Sequence, residues 1–360
     1  MNGRVLAAMS GGVDSSVTAL LLLQSGQDVC GATMRMFHPD DIALPDSGSC
    51  GSLSDCDDAK RVCDRLGIAH ETFDCTGEFR SCVIDRFTDG YMRGETPNPC
   101  IDCNRFLKFG FFLEKARERG FDRIATGHYA QIDLDEKSGR YRLKKAVDTT
   151  KDQTYVLYSM TQDMLAHTLF PLGGLQKSEI RRIDAEHGFV NADKPDSQDI
   201  CFVPNGDYAA FLEQKMHCHL PEGDFVRDGD RVVGRHKGLH HYTIGQRKGL
   251  GIAAEKPLYV LKKDMKHNRV ILGDNAQLFT DSLTAYDCNW ITVDTIREPM
   301  RVTAKTRYKQ AETAATIHPL EDGRVFVTFD TPQRAITAGQ AVVFYDGEYV
   351  VGGGTIALEE

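Results

Sequence analysis

The hydrophobic pattern at the start of the chain predicts a strand, a buried helix and a second strand. Val5–Met9 is an apolar run of strand length, and the almost wholly apolar run Val17–Leu23 predicts a buried helix that ends at Gly26. Val29–Met34 is a second apolar run of strand length. Elements in this order predict a parallel β-α-β unit.

The same alternation of strand-length and helix-length patterns continues through the first two hundred residues. Further strands are predicted at 68–73 and 123–126, and amphipathic helices at 57–66, 79–93 and 105–119. The alternation predicts an α/β fold with a doubly wound parallel sheet, whose ligands bind at the carboxyl edge of the strands. Residues 38–56 are rich in Asp, Pro, Gly and Ser, and we expect a long mobile loop there.

The pattern changes beyond Pro204, where short strand-like runs replace the alternation. Between 220 and 274 these runs are separated by glycines, and from about 282 onward β-rich segments recur at short intervals. Regular short strands with turn signals predict a small β-barrel at the end of the chain. We therefore expect a first domain at 1–205, a small central domain at 206–277 and a C-terminal barrel at 278–360.

Length and composition agree with a globular protein of two or three domains. The chain has 360 residues, of which 41% are hydrophobic and 26% charged. No run of 18 apolar residues occurs, and Met1–Arg4 leads directly into the first predicted strand, so we expect a cytoplasmic protein. In a reducing compartment its eleven cysteines are more often metal-binding, catalytic or buried than joined in disulfides.

The net charge of −9 argues mildly against a nucleic acid partner, although local basic surfaces decide phosphate binding. Basic and polar residues near the end of the chain alternate as they would on one face of a strand: Arg301, Thr303, Lys305, Arg307 and Lys309. Such a face predicts a basic rail for phosphates, and the alternative is a solvated strand face.

A motif rich in glycine and serine joins the first predicted strand to the first predicted helix. Ser10–Ser16 has the sequence SGGVDSS. Backbone N–H groups and the helix N-terminus would converge there on an anion, and paired glycines let the backbone approach a phosphate. Asp14 would hold a magnesium ion that bridges phosphates. The motif is neither a Walker A loop nor a dinucleotide fingerprint, and the alternative is a simple tight turn.

A second motif, Thr96–Asn104, contains two prolines followed by Cys100 and Cys103 in C-x-x-C spacing. The prolines predict irregular structure just before a helix, so Cys103 is expected near a helix N-terminus, a location that lowers the pKa of a thiol. By itself the spacing is compatible with redox, metal-binding or packing roles.

Two further polar motifs are ambiguous when each is taken alone. Asp196–Phe202 places Cys201 between a polar loop and an apolar pair, and a single cysteine in such a setting is commonly part of a core. Asp148–Tyr155 is a polar run that enters a predicted amphipathic helix, where an N-cap with solvated charges is the alternative to a functional role.

These motifs in this order, with Ala125–Ala130 between them, resemble the tRNA-specific 2-thiouridylase family. Ser10–Ser16 is similar to the PP-loop of the ATP pyrophosphatase superfamily, whose members cleave ATP to AMP and pyrophosphate while adenylating a substrate. The resemblance extends over nearly the whole chain, to Lys305–Gln310 and Ala338–Gln340. It implies a PP-loop domain, a small central domain and a C-terminal β-barrel, and an enzyme that replaces the 2-oxygen of the tRNA wobble uridine with sulfur.

The resemblance also implies cofactors, partners and residue roles. ATP and Mg²⁺ are the implied cofactors, the tRNA anticodon stem-loop the substrate, and a cysteine desulfurase or sulfur-relay protein the sulfur donor. Cys103 takes the nucleophile position, and Cys201 takes that of the cysteine that carries a persulfide. The implied ATP contacts are Ala8, Met9, Ser10, Gly11, Gly12, Val13, Asp14, Ser15, Met34 and Gly127. The implied contacts with the target base and tRNA are Asn98, Pro99, Cys100, His128, Lys151, Asp152, Gln153, Arg307, Tyr308 and Gln340.

Cys100 departs from the pattern of some family members, which carry there an aspartate proposed as a general acid or base. The nearest carboxylate in this chain is Asp102, so the resemblance does not assign the proton-transfer group. As an alternative to persulfide chemistry, Cys100, Cys103 and Cys201 would hold an iron–sulfur cluster through three thiolates.

Two other functions fit parts of the sequence. One is a PP-loop ligase or amidotransferase acting on a small molecule, which would need neither the Cys103 and Cys201 pair nor a basic barrel. The other is an RNA-binding module that uses ATP only structurally, against which the intact Ser10–Ser16 loop argues. His240–His241, and His217 with His219, lack a matched carboxylate or cysteine spacing, so we expect ordinary surface or core histidines there.

Overall fold

The structure, a computed structural model, describes residues 3–37, 53–189, 200–203, 206–214 and 216–358. Of the segment expected to form a mobile loop, 38–52 lies outside the described residues, and so does Asp196–Asp199 of the motif that contains Cys201. Residues 53–56 begin a helix instead, which Asp55 in its first turn favours through the helix dipole. The predicted loop was therefore too long at its carboxyl end.

A parallel sheet forms the centre of the first part of the chain. Its strands are β1 (Arg4–Ala8), β2 (Asp28–Arg35), β3 (His70–Asp74), β4 (Arg123–Ala125) and β7 (Thr168–Leu169). They lie in the order β3–β2–β1–β4–β7, and every neighbouring pair is parallel. Val5–Ala7 is fully buried, as expected for a central strand covered on both faces. The predicted doubly wound α/β sheet is confirmed.

Helices cover the two faces of this sheet. On the face of Val5 and Ala7 lie α1 (Val13–Gln24) and α2 (Leu53–Leu66). On the face of Leu6 lie α3 (Thr76–Phe79), α4 (Asp85–Met92), α5 (Pro99–Asp102) and α6 (Phe112–Glu118). Wider π-helical stretches at Arg80–Ile84 and Cys103–Phe111 join α3 to α4 and α5 to α6.

The chain between β4 and the central domain contains shorter elements. They include α7 (Gln162–Ala166), α8 (Lys177–His187) and a 3₁₀ turn at Thr154–Val156. The prediction of an amphipathic helix after Asp148–Tyr155 is therefore wrong. Asp152 accepts hydrogen bonds from the Ala146 N–H at 3.0 Å and the Thr154 hydroxyl at 2.6 Å, which holds this segment as a loop.

The central domain combines one helix with a mixed sheet. The helix is α9 (Tyr208–Gln214), and the strands are β8 (Gly223–Arg227), β9 (Arg231–His236), β10 (Tyr259–Asp264) and β11 (Arg269–Gly273). Their order is β10–β11–β8–β9, in which β11 and β8 are parallel and the other pairs antiparallel. Phe225, Val260 and Val270 are fully buried and form its core.

Antiparallel strands after residue 278 close into the predicted barrel. They are β12 (Phe279–Trp290), β13 (Met300–Lys305), β14 (Thr313–Pro319), β15 (Val325–Arg334), β16 (Ala341–Asp346) and β17 (Tyr349–Ile356). The order is β12–β15–β14–β13–β16–β17, and pairing between β12 and β17 closes the ring. Alternating side chains such as Val302, Ala304, Ala315 and Ile317 fill the interior.

A hairpin from the first part of the chain extends the barrel sheet. It consists of β5 (Gln131–Asp135) and β6 (Arg140–Lys144), and Lys144 pairs with Tyr349 of β17. The hairpin was not predicted, although its apolar and charged residues alternate, because each strand is only five residues long and so short a pattern is ambiguous. It connects the parallel sheet to the barrel.

No described helix is both long enough and apolar enough to pass through a membrane.

Replacing Gly173 with alanine is expected to destabilise the protein. A Cβ at Gly173 would lie 1.8 Å from the Ala130 carbonyl oxygen, so the backbone on one side must move. Overpacking of this kind costs roughly 1–3 kcal/mol. Gly174→Ala is the matched control, because nothing lies within 4 Å of the added Cβ. Thermal unfolding followed by circular dichroism should give a lower Tm for the first variant alone; equal values would contradict the packing described.

Candidate active site

The Ser10–Ser16 loop connects the carboxyl end of β1 to the N-terminus of α1. Gly11 has a φ of +67°, and a Cβ there would lie 2.7 Å from the carbonyl oxygen of Asp55. Gly12 is the N-cap of α1 and supplies no side-chain cap. Both glycines thus permit a close backbone turn at a helix N-terminus, the geometry that binds phosphate groups.

Serine hydroxyls hold this loop in shape. The hydroxyl of Ser15 donates to the carbonyl of Gly12 at 2.9 Å and accepts from the N–H of Ser10 at 3.2 Å. The hydroxyl of Ser16 donates to the same carbonyl at 2.9 Å. The serines predicted to contact phosphate therefore also fix the backbone of the loop.

Asp14 is held by two residues that sequence reasoning missed. Lys177 Nζ donates to its two carboxylate oxygens at 2.8 and 2.9 Å, and the Tyr129 hydroxyl donates to Oδ1 at 2.7 Å. The Lys177 side chain is only 10% exposed. Lys177 begins α8, and nothing in its sequence context indicates that this helix reaches the loop. A carboxylate beside a lysine at a helix N-terminus can hold a magnesium ion and a polyphosphate together.

The other predicted ATP-binding residues lie at the same edge of the sheet. Ala8 pairs with Ala32, so Met34 extends two residues beyond β1 on the neighbouring strand. Gly127 follows β4, the neighbour of β1 on its other side, and a Cβ there would lie 3.0 Å from the Asp14 carbonyl carbon. The structure thus brings the predicted ATP residues together at the carboxyl edge.

The helix that carries Cys103 begins earlier than predicted. Pro99 is its first residue, and the Asn98 side chain caps it by accepting a hydrogen bond from the Cys100 N–H at 3.1 Å. The predicted start at Arg105 was wrong because proline is favoured in the first turn, where no N–H partner is lost. Cys100 lies in the first turn and is exposed, whereas Cys103 lies in the second and is buried. The helix-dipole argument made for Cys103 applies more directly to Cys100.

Cys103 and Cys201 pack on one apolar cluster. Cys103 is a buried member of it, and Cys201 is partly buried against it. The ring of Phe202 lies 5.3 Å from that of Phe87 and 5.7 Å from that of Phe79, which anchors the segment after Cys201. The structure therefore places both cysteines on the same face of the parallel sheet.

Cys75 is a neighbour of Cys103 that the sequence did not single out. It is fully buried. Burial first, then the nearby charges of Glu78, Asp74 and Cys103, raises the pKa of Cys75 to about 12. Cys75 is thus a thiol rather than a thiolate at neutral pH, and it contributes apolar packing beside Cys103.

Two barrel residues approach the segment that begins the Cys103 helix. Gln340 Nε2 donates to the carbonyl of Thr96 at 2.6 Å. The Tyr308 hydroxyl donates to the carbonyl of Asp152 at 3.1 Å, and burial, with the charges of Asp152 and Cys100, raises the pKa of Tyr308. The barrel therefore contacts the chain two residues before Asn98, and Tyr308 is near enough to Cys100 to be affected by its charge.

Other predicted tRNA contacts bind the protein itself. His128 is buried, its Nδ1 lies 2.7 Å from the Thr126 hydroxyl, and burial holds the pKa of His128 well below its usual value. Gln153 Oε1 accepts a hydrogen bond from the Tyr129 N–H at 2.8 Å, and the Lys151 N–H donates to the Asp148 carbonyl. The contacts of His128 and Gln153 stabilise the loop between β4 and β5, and the contact of Lys151 stabilises the turn after β6.

Arg307 likewise binds backbone groups. One of its guanidinium nitrogens, Nη2, lies 2.8 Å from the Ala335 carbonyl, 3.0 Å from the Thr337 hydroxyl and 3.3 Å from the Ile244 carbonyl. Since Ile244 belongs to the central domain, Arg307 connects that domain to the barrel. Contact of these residues with RNA stays a prediction.

Family models and curated relatives identify the family. One model, described as tRNA methyl transferase HUP domain, matches residues 3–205; the tRNA methyl transferase PRC-barrel domain matches 209–274 and the Aminomethyltransferase beta-barrel domain 280–356. The tRNA-specific 2-thiouridylase MnmA of Acetivibrio thermocellus is 51% identical over 354 residues, 98% of this chain and 99% of that protein. The chain belongs to the tRNA-specific 2-thiouridylase family.

Further relatives carry the same name. The tRNA-specific 2-thiouridylase MnmA 1 of Thermoanaerobacter sp. is 51% identical over 99% of this chain and 98% of its own. The tRNA-specific 2-thiouridylase MnmA of Clostridioides difficile is 49% identical with the same coverage. The family models are named for methyl transfer, but these full-length relatives are thiouridylases.

The basic strand face predicted for this thiouridylase family member is shorter and more neutral than expected. β13 ends at Lys305, so Arg307 and Lys309 lie beyond it. Arg301 pairs with Asp330 at 2.8 Å, and Lys305 lies 4.0 Å from a carboxylate oxygen of Glu312. These ion pairs favour the alternative of a solvated strand face over a phosphate rail.

Asp102 lies in a polar cavity between the Cys103 helix and the barrel. The cavity, of about 180 Å³, is lined among others by Asn98, Asp102, Arg86 and Asp287. Burial raises the pKa of Asp102, although the Arg86 guanidinium at 3.3 Å opposes that shift. A carboxyl group with a raised pKa beside Asn98 is suited to proton transfer.

The cysteines considered for an iron–sulfur cluster do not form a compact group. Among the described residues, which include Cys100, Cys103 and Cys201, the sets of ligand atoms that lie within 4.8 Å of one another do not include these sulfurs. The difference in burial between Cys100 and Cys103 agrees with this separation.

Lys177→Met is expected to weaken ATP binding. The variant removes the cation beside the Ser10–Ser16 loop and leaves the Asp14 carboxylate to repel the phosphates. Loss of a hydrogen bond to a charged group costs about 1.5–3 kcal/mol, so the Kd for ATP with magnesium should rise roughly ten- to a hundredfold. Isothermal titration calorimetry measures this change. Lys115→Met, which breaks a surface pair with Glu118, is the control; equal effects of the two variants would contradict the assignment.

Lys263 is expected to make stability depend on pH. Its Nζ donates to the carbonyl of Glu95 at 3.2 Å, and burial lowers the pKa of Lys263 to about 8. Between this value and the unfolded value of about 10.4 the unfolded state binds more protons, so this residue's contribution to stability rises with pH.

The difference in unfolding free energy between the natural protein and Lys263→Met tests this expectation. It should shift in favour of the natural protein from pH 7.5 to pH 9.5 in urea titrations. The exposed neighbour variant Lys262→Met should give no such trend. A difference independent of pH would show that Lys263 is not a buried titrating group.

Proposed function

We propose that this chain is an ATP-dependent tRNA 2-thiouridylase, which adenylates the 2-oxygen of the wobble uridine and replaces it with sulfur. The main support for the proposal is that one fold contains both a phosphate-binding loop and a pair of cysteines. The phosphate-binding loop holds Asp14 at the carboxyl edge of the sheet, and Cys103 and Cys201 pack on one cluster beside the same sheet. Relatives of about 50% identity over the full length are named tRNA-specific 2-thiouridylase.

The first step would activate the base. The uridine carbonyl is a poor electrophile, and its oxygen is a poor leaving group until it receives AMP from ATP. The N–H groups at the start of α1 would hold the pyrophosphate, and Asp14 would hold a magnesium ion that neutralises phosphate charge. Lys177, freed from part of its contact with Asp14, would supply the remaining positive charge.

The second step would transfer sulfur. The terminal sulfur of a persulfide on Cys201 attacks the activated carbon, AMP leaves, and Cys103 then attacks the Cys201 sulfur to release 2-thiouridine and form a Cys103–Cys201 disulfide. Alternatively Cys103 attacks the persulfide first and releases sulfide, which becomes the nucleophile. Both orders leave the same disulfide, which a thiol reductant must reduce before the next turnover.

The target base would enter between the Cys103 helix and the barrel. Asn98 and Cys100 face Gln340 and Tyr308 there, and the polar cavity beside Asn98 contains Asp102. The wobble base has to leave its stack to reach a buried thiol. We assign Asp102, in place of the aspartate that some family members carry at position 100, as the group that exchanges protons in this step.

The remaining expectations belong to the same proposal. We propose a division into 1–205, 206–277 and 278–360, with the β5–β6 hairpin reaching across to the barrel. The partners would be the tRNA anticodon stem-loop and a sulfur donor such as a cysteine desulfurase or a sulfur-relay protein, and a tRNA substrate places the reaction in the cytoplasm. No step is routed through an iron–sulfur cluster, and full activity of iron-free protein prepared anaerobically would support that choice.

Variants of the loop and of the cysteines should separate the two steps. With ATP, magnesium, a persulfide donor and unmodified tRNA, the protein should form AMP and 2-thiouridine, both only when tRNA is present. Cys201→Ser should abolish 2-thiouridine while AMP is still formed, because activation does not need the persulfide. Asp14→Ala should abolish both products. Liquid chromatography with mass spectrometry of digested tRNA measures the nucleoside.

Cys82→Ser is the matched control, since Cys82 is partly buried against the same apolar cluster. It should retain both products. AMP formation that requires citrulline or xanthosine monophosphate instead of tRNA would favour the small-molecule ligase. AMP formation by Asp14→Ala at the natural rate would overturn the assignment of the loop.

A further inference from the structure

Glu213, His240 and His241 form a cluster in the central domain, after the proposed active-site motif that contains Cys201. Nε2 of His240 lies 2.8 Å from Glu213 Oε1, and Nε2 of His241 lies 3.0 Å from the same oxygen. The histidines are adjacent in sequence, and the fold supplies the carboxylate that the sequence pattern lacks. The expectation of ordinary histidines at 240 and 241 rested on that missing carboxylate.

The geometry of the cluster is close to that of a metal site. One ligand atom from each side chain lies within 4.8 Å of the other two. Zinc binds imidazole nitrogen and carboxylate oxygen at about 2.0–2.2 Å, so ligand atoms around a tetrahedral ion lie about 3.3 Å apart. The observed separations of 2.8 and 3.0 Å need to open by only a few tenths of an ångström.

The donor set also suits a metal. Imidazole nitrogen and carboxylate oxygen are both ligands that zinc takes in proteins. The His240 side chain is 1% exposed, and its Nδ1 has no hydrogen-bond partner among the described residues.

Without a metal, the hydrogen bonds of the cluster leave Nδ1 of His240 without a partner among the described residues. If Nε2 of His240 carries the proton that Glu213 accepts, Nδ1 is a buried acceptor without a donor, which is costly. A metal on Nε2 moves the proton to Nδ1. The space beside Gly238 borders both groups: a Cβ built there would lie 2.9 Å from Nδ1 of His240 and 2.6 Å from the Leu220 carbonyl oxygen. An acceptor for a proton on Nδ1 therefore lies across the same space.

The cluster joins two elements of the central domain. Glu213 is on α9, whereas both histidines lie in the 3₁₀ turn after β9 of the central domain. Two residues before Glu213, the ring of Phe211 packs 5.2 Å from that of Phe202, the residue after Cys201. One short helix therefore links the cluster to the segment that carries Cys201.

We propose that Glu213, His240 and His241 bind a divalent transition metal of the zinc class, which fixes α9 to the 3₁₀ turn after β9. Three protein ligands leave a fourth position for water. The ion would hold the helix against Phe202 from a place outside the thiouridylation chemistry. The proposal stands on its own contacts and does not depend on the proposed reaction.

Metal binding is tested directly with the full chain. Protein stripped of metal by a chelator is loaded with one equivalent of Zn²⁺, and X-ray absorption at the zinc edge gives the ligand shell. A nitrogen and oxygen shell near 2.0–2.1 Å is expected, whereas binding by the cysteines would give sulfur near 2.3 Å. A competition titration against a chromophoric chelator then gives the Kd.

Variants separate this site from others. His241→Gln and Glu213→Gln should each weaken Zn²⁺ binding at least tenfold and remove the rise in Tm that Zn²⁺ causes in the natural protein. The control is His267→Gln, an exposed histidine paired with Asp264, which should change neither value. His241 is partly exposed, so its replacement should not prevent folding. A sulfur shell, or Zn²⁺ binding unchanged in His241→Gln, would overturn the proposal, and so would a natural protein that binds no Zn²⁺.

Discussion

The Asp14 carboxylate joins segments that are far apart in the chain. Tyr129 reaches it from the loop after β4, and Lys177 reaches it from the start of α8. The Lys177 N–H in turn donates to Asp148 at 3.0 Å. Charges that are partly buried are tolerated only when they are paired and hydrogen-bonded, so these contacts fix the phosphate loop in one arrangement. A magnesium ion would have to share the Asp14 oxygens with Lys177 and Tyr129, so its binding would rearrange the contacts that hold the loop.

Much of the fold is visible in the sequence because it depends on local patterns. Val5–Met9 is apolar throughout and Val29–Met34 is apolar except for Thr33, since strands covered on both faces have no solvent side. The phosphate loop is equally local, because its glycines, hydroxyls and carboxylate lie within seven consecutive residues. For these elements the spacing of residues is enough to predict the local structure, and only the predicted ends differ from the observed ones.

The parts that could not be predicted depend on contacts between distant segments. That α8 begins with Lys177 beside Asp14 follows from the packing of α8 on α1, which no local pattern contains. The β5–β6 hairpin has strands of only five residues, and its partner β17 lies about two hundred residues later in the chain. His240 and His241 gain a carboxylate only because α9 packs against the 3₁₀ turn that contains them. The basic strand was overestimated for the same reason, since its acidic partners come from other strands.

The depth of Cys103 gives the barrel a role in the proposed reaction. Cys103 lies one turn below the exposed Cys100, so a base cannot meet its thiol from the open surface of the helix. The entrance is shaped by Asn98 on one side and by Gln340 and Tyr308 on the other, and Thr96 is tied to the barrel through both its N–H and its carbonyl. A barrel that holds the loop before the Cys103 helix would set the width of the entrance. RNA bound to the barrel would therefore reach the Cys103 thiol, which unbound nucleotides reach poorly. Substrate recognition would in this way be coupled to the chemistry, and no basic surface on β13 would be needed.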